Sequence, residues 1–486
     1  MIRRLPVGAI VLALCLAAYA VLVLALQTRE YVSASNLDLW GRALMANGGL
    51  SRFEDVVTAY PPLPYIITIV TAALFPVMRD ATPELLGAGL AALLVFAWHA
   101  GIRRNHVGPV RALIGTVALA VNPLFLRSIS EGPGFILLMF GLWFTALGVF
   151  GLRRGHRVND IILISLGLTL MVFAHPFGIV VAFAMFPFLA LVFPADRLGE
   201  APAAMFLVLL FPLLFALLSF AYVNWVFAGD ALSFLPRVSR ESAGLGPDWT
   251  PPAGFWGWSL AVFSVFAACP MAIAMFVRTQ GMASLRMAVI VLMCTLLAAT
   301  LLGSLFEVLP APALVASLAV AISAACAARW PIEHAQWSVL AMLLAAGTLG
   351  GVVVTFADST PETERWRAAM SGAQVAPADP ELAELGALLL PRDAILFDAD
   401  RAPAVIAERG TTRGIWSAGS PEFRLAALSG RSEAQTVVVH NRDAGLGNDR
   451  VGQMLPEVYE NGLEGFREIY TGERWRVFAI ETGTGL

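Results

Sequence analysis

Asp38 and Arg42 stand four residues apart in the first polar interval of the chain, Tyr31 to Tyr65. That interval also holds Arg52, Glu54, Asp55 and the run Tyr60-Pro61-Pro62-Leu63-Pro64. On a helix, a four-residue spacing puts a carboxylate and a guanidinium on one face. A carboxylate so placed can take a proton from a hydroxyl nucleophile. A guanidinium beside it can hold phosphate oxygens bidentately. Arg127 closes one apolar run and Glu131 opens the next, His175 precedes Pro176 at a break in a long apolar run, and Arg237 and Arg240 stand in a polar loop. Each also has a plainer reading. Asp38 can be a helix N-cap or half of a surface ion pair. Arg127 can be an interfacial anchor, and Glu131 a first-turn charge favoured by the helix dipole. His175 can be a satisfied structural histidine, and Arg237 and Arg240 a solvated loop face. Asn224, Trp225 and Asp230 read first as residues that shape the loop they open.

The elements that position these residues are mostly apolar. The 486-residue chain is 58% hydrophobic and 14% charged, against about 25% charged in soluble domains. This is the composition of a polytopic α-helical membrane protein. Net charge is −3, all the basic residues are arginine, and nothing points to nucleic acid. Cys15, Cys269, Cys294 and Cys326 sit singly in apolar runs, which argues for small packing residues and against a disulfide framework or zinc site. The apolar run 5–26 after Arg3 and Arg4 is longer than a signal-peptide core of about 7–15 residues, so it reads as an uncleaved first span.

Apolar segments of roughly 20 residues predict about eleven spans: 5–26, 83–101, 109–127, 133–152, 160–174, 177–193, 203–225, 255–277, 287–306, 311–328 and 337–356. The stretch 61–78 is ambiguous. If it lies in the membrane surface, Arg3, Arg4, Arg103, Arg104, Arg153, Arg154, Arg157, Arg197, Arg278, Arg286 and Arg329 all fall on one side; if it crosses, many of them change sides. The positive-inside rule favours the first arrangement, with the N-terminus cytoplasmic and the C-terminus periplasmic or extracellular. The loops 27–82 and 224–254 then lie outside. The break at His175-Pro176 predicts two short helices that meet near the outer face.

The composition changes near residue 357. The sequence divides as a transmembrane domain over 1–356, a polar linker over 357–380, and a small soluble α/β domain over 381–486. In that last part AILFDA, TVVVHN and WRVFAIE read as buried strands. PAVIAERG, PEFRLAALSG and DRVGQMLPEVYENG read as helices, and the domain is expected to fold on its own.

Asn36-Leu37-Asp38 after a first span, then Tyr60-Pro61-Pro62-Leu63 opening an apolar helix, resembles the GT-C class of membrane glycosyltransferases. The likeness is strongest to its protein O-mannosyltransferase and aminoarabinose-transferase branch. Asn122-Pro123-Leu124-Phe125, followed by Ser130-Glu131-Gly132-Pro133, extends the resemblance over the first half of the chain. Leu39 follows Asp38 where many members carry Glu, and Tyr60 stands where a basic residue often precedes Pro-Pro. The resemblance implies that Asp38 and Glu131 are the catalytic carboxylates. It implies a donor-phosphate and substrate site drawn from Arg42, Arg52, Tyr60, Arg127, His175, Arg237 and Arg240. The expected activity is sugar transfer from a polyprenyl-phosphate-linked donor, in the lipid, to a glycan, lipid or protein acceptor on the outer face of the plasma membrane. No cofactor is expected, and a divalent metal is left open. Two other functions fit the composition: a transporter or flippase of lipid-linked glycans, and a non-catalytic membrane assembly protein.

Overall fold

A computed structural model describes residues 7–105, 107–155, 158–193, 202–234, 255–277, 283–306, 308–330, 334–429, 432–441, 449–459 and 462–480. The chain divides into two compact units.

The first unit gathers 1–35, 60–64 and 84–375. It is helical. Among the described residues, seven helices are long and apolar enough to cross a membrane, or eight if the bent pair Pro109–Ala120 and Pro123–Ser130 counts as one span. That pair turns by 58° at Asn122-Pro123. Asn122 caps the second member, its Oδ1 accepting from the Leu124 N–H at 3.0 Å, and Pro123 occupies the first helical position, where its missing donor is no loss. The stretches 160–174 and 177–193 form the helices Val158–Ala174 and Pro176–Val192, each of 17 residues, with the break at His175. Pro270 divides the stretch 255–277 into Phe255–Ala268 and Pro270–Val277.

The centre of this unit is the alanine-rich helix Pro312–Arg329, in which every residue from Pro312 to Ala328 is buried. Small side chains let its neighbours approach closely. Gly141 and Gly167 serve the same end elsewhere: a Cβ at Gly141 would lie 2.7 Å from the Gly167 carbonyl oxygen. The periphery is the reverse. Leu14, Val21, Leu207, Phe215 and Leu218 are 65%, 67%, 62%, 62% and 69% exposed. Large apolar side chains exposed all along such helices are stable only where lipid covers them.

The stretch 357–380, a linker by composition, is ordered structure. Its helix Pro361–Met370 buries Trp366 and Ala369 against Leu26, Tyr31 and Val375. The Trp366 indole donates to Ser130 Oγ at 3.0 Å, and the Val375 N–H donates to the Arg29 carbonyl at 3.2 Å. Residues through Val375 therefore belong to the helical unit.

The second unit gathers 36–59, 65–83 and 376–486. Its five strands, β1 (Ile395–Leu396), β2 (Ile415–Trp416), β3 (Thr436–His440), β4 (Phe466–Thr471) and β5 (Trp475–Ile480), run in the order β2-β1-β3-β5-β4. β1 is parallel to β2 and β3, while β5 is antiparallel to β3 and β4. One core holds Leu385, Leu389, Ile395, Phe397, Val405, Ile406, Val438 and Val477 together with Met45 and Leu50 from the first polar interval. The unit is thus a small α/β fold whose core is completed by a segment over 300 residues upstream, and the division at 381 leaves that segment out. Buried apolar contact sets this grouping, and local sequence pattern does not report it.

The apolar stretch 61–78 forms the helix Pro62–Leu74, 13 residues long, followed by a short turn of 3₁₀ helix. At 1.5 Å per residue it is about 20 Å long, well short of a 30 Å hydrocarbon core.

Candidate active site

Asp38 and Arg42 lie on the helix Ala34–Asn47. Four residues of that helix precede Asp38, so it is not the N-cap. Arg42 Nε donates to Asp38 Oδ2 at 2.7 Å, and the two side chains are 33% and 41% exposed. The pair is accessible and preformed. Asp38 is the main cause holding the Arg42 guanidinium further toward its charged form.

Packing within the second unit fixes this helix. Trp40 and Ala43 are buried against Ala407, with Ile69 and Ala72 alongside. Gly41 sits on the Pro403 backbone so closely that a Cβ would lie 1.8 Å from the Pro403 carbonyl oxygen. The loop after the helix is tied down by the Gly419 N–H, which donates to the Leu50 carbonyl at 2.8 Å.

A charged network continues from there. Arg52 Nε donates to Asp55 Oδ2 at 2.9 Å. Arg450 binds Asp400 at 2.7 Å and approaches Asp398 at 3.7 Å and Asp55 at 3.9 Å. Asp400 also contributes to the field at Arg42, Arg52 and Tyr65. Burial, and then the neighbouring Asp55 carboxylate, push Asp400 above the usual carboxylate range, against the opposing pull of Arg450. Asp398 and Asp400 cap and occupy the short 3₁₀ helix Ala399–Arg401, and Arg450 opens the helix Arg450–Met454; neither carries a chemical motif in sequence, which is why sequence reasoning missed them.

The helical unit holds a second carboxylate–guanidinium pair. Arg127 and Glu131, one turn apart at the end of Pro123–Ser130, are 1% and 6% exposed and meet at 2.8 Å. Such burial rules out an interfacial anchor for Arg127. Nearby, Tyr31 Oη donates to Glu362 Oε1 at 2.9 Å, and Arg365 donates to Glu362 Oε2 at 2.8 Å. A cavity of about 10 Å³, lined by Val23, Leu26, Tyr31, Val32, Glu84 and Ser130, adjoins this network. It has room for about one water. Glu84, 4% exposed, and Glu362 were not singled out from sequence. The signal for Glu362 was Thr360-Pro361-Glu362, a helix start with Pro at the first position and an acid in the first turn.

The remaining expected site residues have structural partners. Tyr60 Oη donates to the Val172 carbonyl at 2.6 Å, and its ring packs among Phe220 and Phe234. His175 caps Pro176–Val192, its Nδ1 accepting from the Phe177 N–H at 3.1 Å, with the Phe135 ring edge-on against it. Both side chains are buried within the helical unit. Asn224 Oδ1 accepts from Ser233 Oγ at 2.8 Å, and Asp230 Oδ1 from the Leu232 N–H at 2.9 Å, as loop-shaping residues do. Arg237 and Arg240 lie outside the described residues. Among the described residues, no three His, Cys, Asp or Glu side chains are grouped so as to hold a metal ion.

No protein-family model matches the chain, and no curated protein matches it in sequence.

Proposed function

We propose that the chain is an inverting glycosyltransferase of the GT-C type, with about eleven spans and its second unit on the outer face of the plasma membrane. The observation that supports this most is the Asp38–Arg42 pair: partly exposed, one turn apart, and carried by a helix locked at Gly41 and Leu50. A positioned base and a positioned cation are what transfer from a phosphate-linked sugar requires. Asp38 takes the proton of the acceptor hydroxyl. The acceptor oxygen bonds to the anomeric carbon as the bond from that carbon to the donor phosphate oxygen breaks. Polyprenyl phosphate leaves with the electron pair, and guanidinium groups, Arg42 first and Arg52 beside it, stabilise its growing charge. Arg127 and Glu131 support the helical unit as a buried pair. The test is release of polyprenyl phosphate and sugar transfer by the purified protein in lipid, given a polyprenyl-phosphate sugar and a hydroxyl acceptor.

The buried Arg127–Glu131 pair favours a second reading, a transporter of lipid-linked glycans, because paired charges inside an apolar bundle often mark a pathway. Movement of a fluorescent lipid-linked sugar across proteoliposomes, with no transfer, would support that function instead.

A further inference from the structure

In the second unit the chain leaves β1 for β2 on one side through the helix Pro403–Arg409. It then crosses to β3, on the other side of β1, through Pro421–Ser429. β2 and β3 both run parallel to β1. Where connections part in this way, a crevice opens at the carboxyl ends of the strands, and ligands of open α/β sheets sit there. Asp398 and Asp400 follow the carboxyl end of β1. Arg450 follows that of β3 and is pinned to it by Asp449, whose Oδ2 accepts from the His440 N–H at 3.0 Å.

Arg450 and Asp400 meet across this crevice, 38% and 24% exposed, with Nη1 donating to Oδ2 at 2.7 Å. The pair keeps unused donors and acceptors. Among the described residues Asp400 Oδ1 accepts no hydrogen bond, and Arg450 Nε and Nη2 donate none. Nη2 stands 3.9 Å from Asp55 Oδ1, beyond hydrogen-bond reach. Asp398, 1% exposed, accepts from the Arg450 N–H through Oδ2 at 3.0 Å. Its Oδ1 is buried without a hydrogen bond and faces Arg450 Nη1 at 3.7 Å. A buried carboxylate oxygen left so is costly, and a donor brought by a ligand removes that cost.

These atoms select a class of ligand. Asp55, Asp398 and Asp400 disfavour an anion, and Arg450 disfavours a cation. What fits is a neutral molecule that offers donors and acceptors on neighbouring atoms. Adjacent hydroxyls of a sugar ring do so, because each donates once and accepts up to twice. We propose that this crevice is a sugar subsite, in which Asp400 Oδ1 accepts from one ring hydroxyl, Arg450 donates to its neighbour, and Asp398 Oδ1 takes a further hydroxyl proton. The choice of a sugar over other neutral ligands rests on the transferase reading. The sugar is that of the donor or one of the acceptor, since both offer the same hydroxyls.

Saturation-transfer NMR on the full chain in lipid nanodiscs tests this without any transfer step. The probes are the methyl glycosides of mannose, glucose and galactose, and a neutral serine-containing peptide amide. At least one glycoside should receive saturation at its ring protons, and the peptide none. Asp400→Asn, and separately Arg450→Lys, which keeps the charge but loses the planar fork, should weaken the apparent Kd roughly tenfold or more. Glu468→Gln breaks a similar part-exposed pair, with Arg476 on β5, and should change the Kd by less than about twofold. The proposal is overturned if the wild type binds none of the glycosides, if Asp400→Asn binds them equally, if Glu468→Gln loses as much, or if only the peptide binds. Sugar transfer by a wild type that binds no glycoside removes this subsite alone; glycoside binding without transfer removes the transferase alone. Where both hold, Asp400→Asn should raise KM for the donor or for the acceptor, which tells whose sugar is held, and an unchanged KM for both overturns the subsite.

Discussion

Replacing Gly41 by alanine sets two effects of known sign against each other. Gly41 lies inside the helix Ala34–Asn47. At an ordinary helical position the change stabilises by about 1 kcal/mol, because glycine loses more backbone entropy on folding. Here the new Cβ would lie 1.8 Å from the Pro403 carbonyl oxygen, 2.4 Å from its carbon and 3.1 Å from its Cα. These are backbone atoms that no rotamer change moves, so the two segments must part by roughly 1 Å or more, and overpacking of this kind costs about 1–3 kcal/mol. The clash outweighs the propensity, and the net effect is a loss of up to about 2 kcal/mol. Gly89, also in a helix but with open space where its Cβ would be, serves as the control. Gly89→Ala should raise the thermal midpoint of the full chain in detergent, and Gly41→Ala should lower it. Hydrogen exchange over 36–47 should quicken only in Gly41→Ala. A displacement near 1 Å at a reacting group costs on the order of 10²-fold in rate, so transfer should fall far more than stability. A rise in midpoint for Gly41→Ala, matching Gly89→Ala, would refute the locked helix.

Three other outcomes follow from the packing and the charges. Glu131→Gln leaves Arg127, 1% exposed, without its countercharge; losing one partner of a buried pair costs about 3–5 kcal/mol, so the yield of folded protein should drop along with any activity. Asp400 has a folded pKa raised chiefly by burial. The folded state therefore holds its proton more tightly than the unfolded state, and wild-type stability falls as pH rises from the unfolded value near ~4 through the raised one. Asp400→Asn should accordingly gain on the wild type in thermal midpoint between acid and neutral pH, and a constant difference would contradict this. Residues 376–486 expressed alone lack Met45 and Leu50, 1% and 5% exposed in the intact core. That segment should unfold without cooperativity, and fusing residues 36–59 to it should restore a cooperative transition in circular dichroism.

The parts of the fold that local pattern dictates were legible. β1, β3 and β5 lie within apolar-rich, β-branched stretches bounded by polar residues, and Pro176 announced the break at His175. The 13-residue length of Pro62–Leu74 follows from the prolines that open it and the Pro76 that ends it. The parts that depend on distant packing were not legible. Glu362, Glu364, Arg365 and Arg367 gave 357–380 the polarity of a linker, yet Trp366 and Ala369, three residues apart, bury one helix face. β2 is only two residues long, too short to carry an alternation. Nothing near Met45 or Leu50 says that their partners are Leu385 and Ile395. For the candidate site, spacing anticipated the Asp38–Arg42 pair; Arg127 and Glu131 read as the end of one span and the start of the next, and the helix Pro123–Ser130 that places them one turn apart needed the structure. The burial that separates an accessible pair from an enclosed one needed it as well. Asp400 and Arg450 needed it too, because the first polar interval meets them only through tertiary contact.

The most direct measurement is sugar transfer by Asp38→Asn beside the wild type, in lipid, with a polyprenyl-phosphate sugar donor. Asp38 is interior to its helix and 41% exposed, so the substitution removes an exposed i,i+4 ion pair, worth about 0.3–0.5 kcal/mol. Folding should be nearly unchanged. Loss of a general base lowers the rate by about 10²–10⁴. Active wild type with a folded, inactive Asp38→Asn is the result expected here; equal transfer by the two, or none by the wild type, would contradict it.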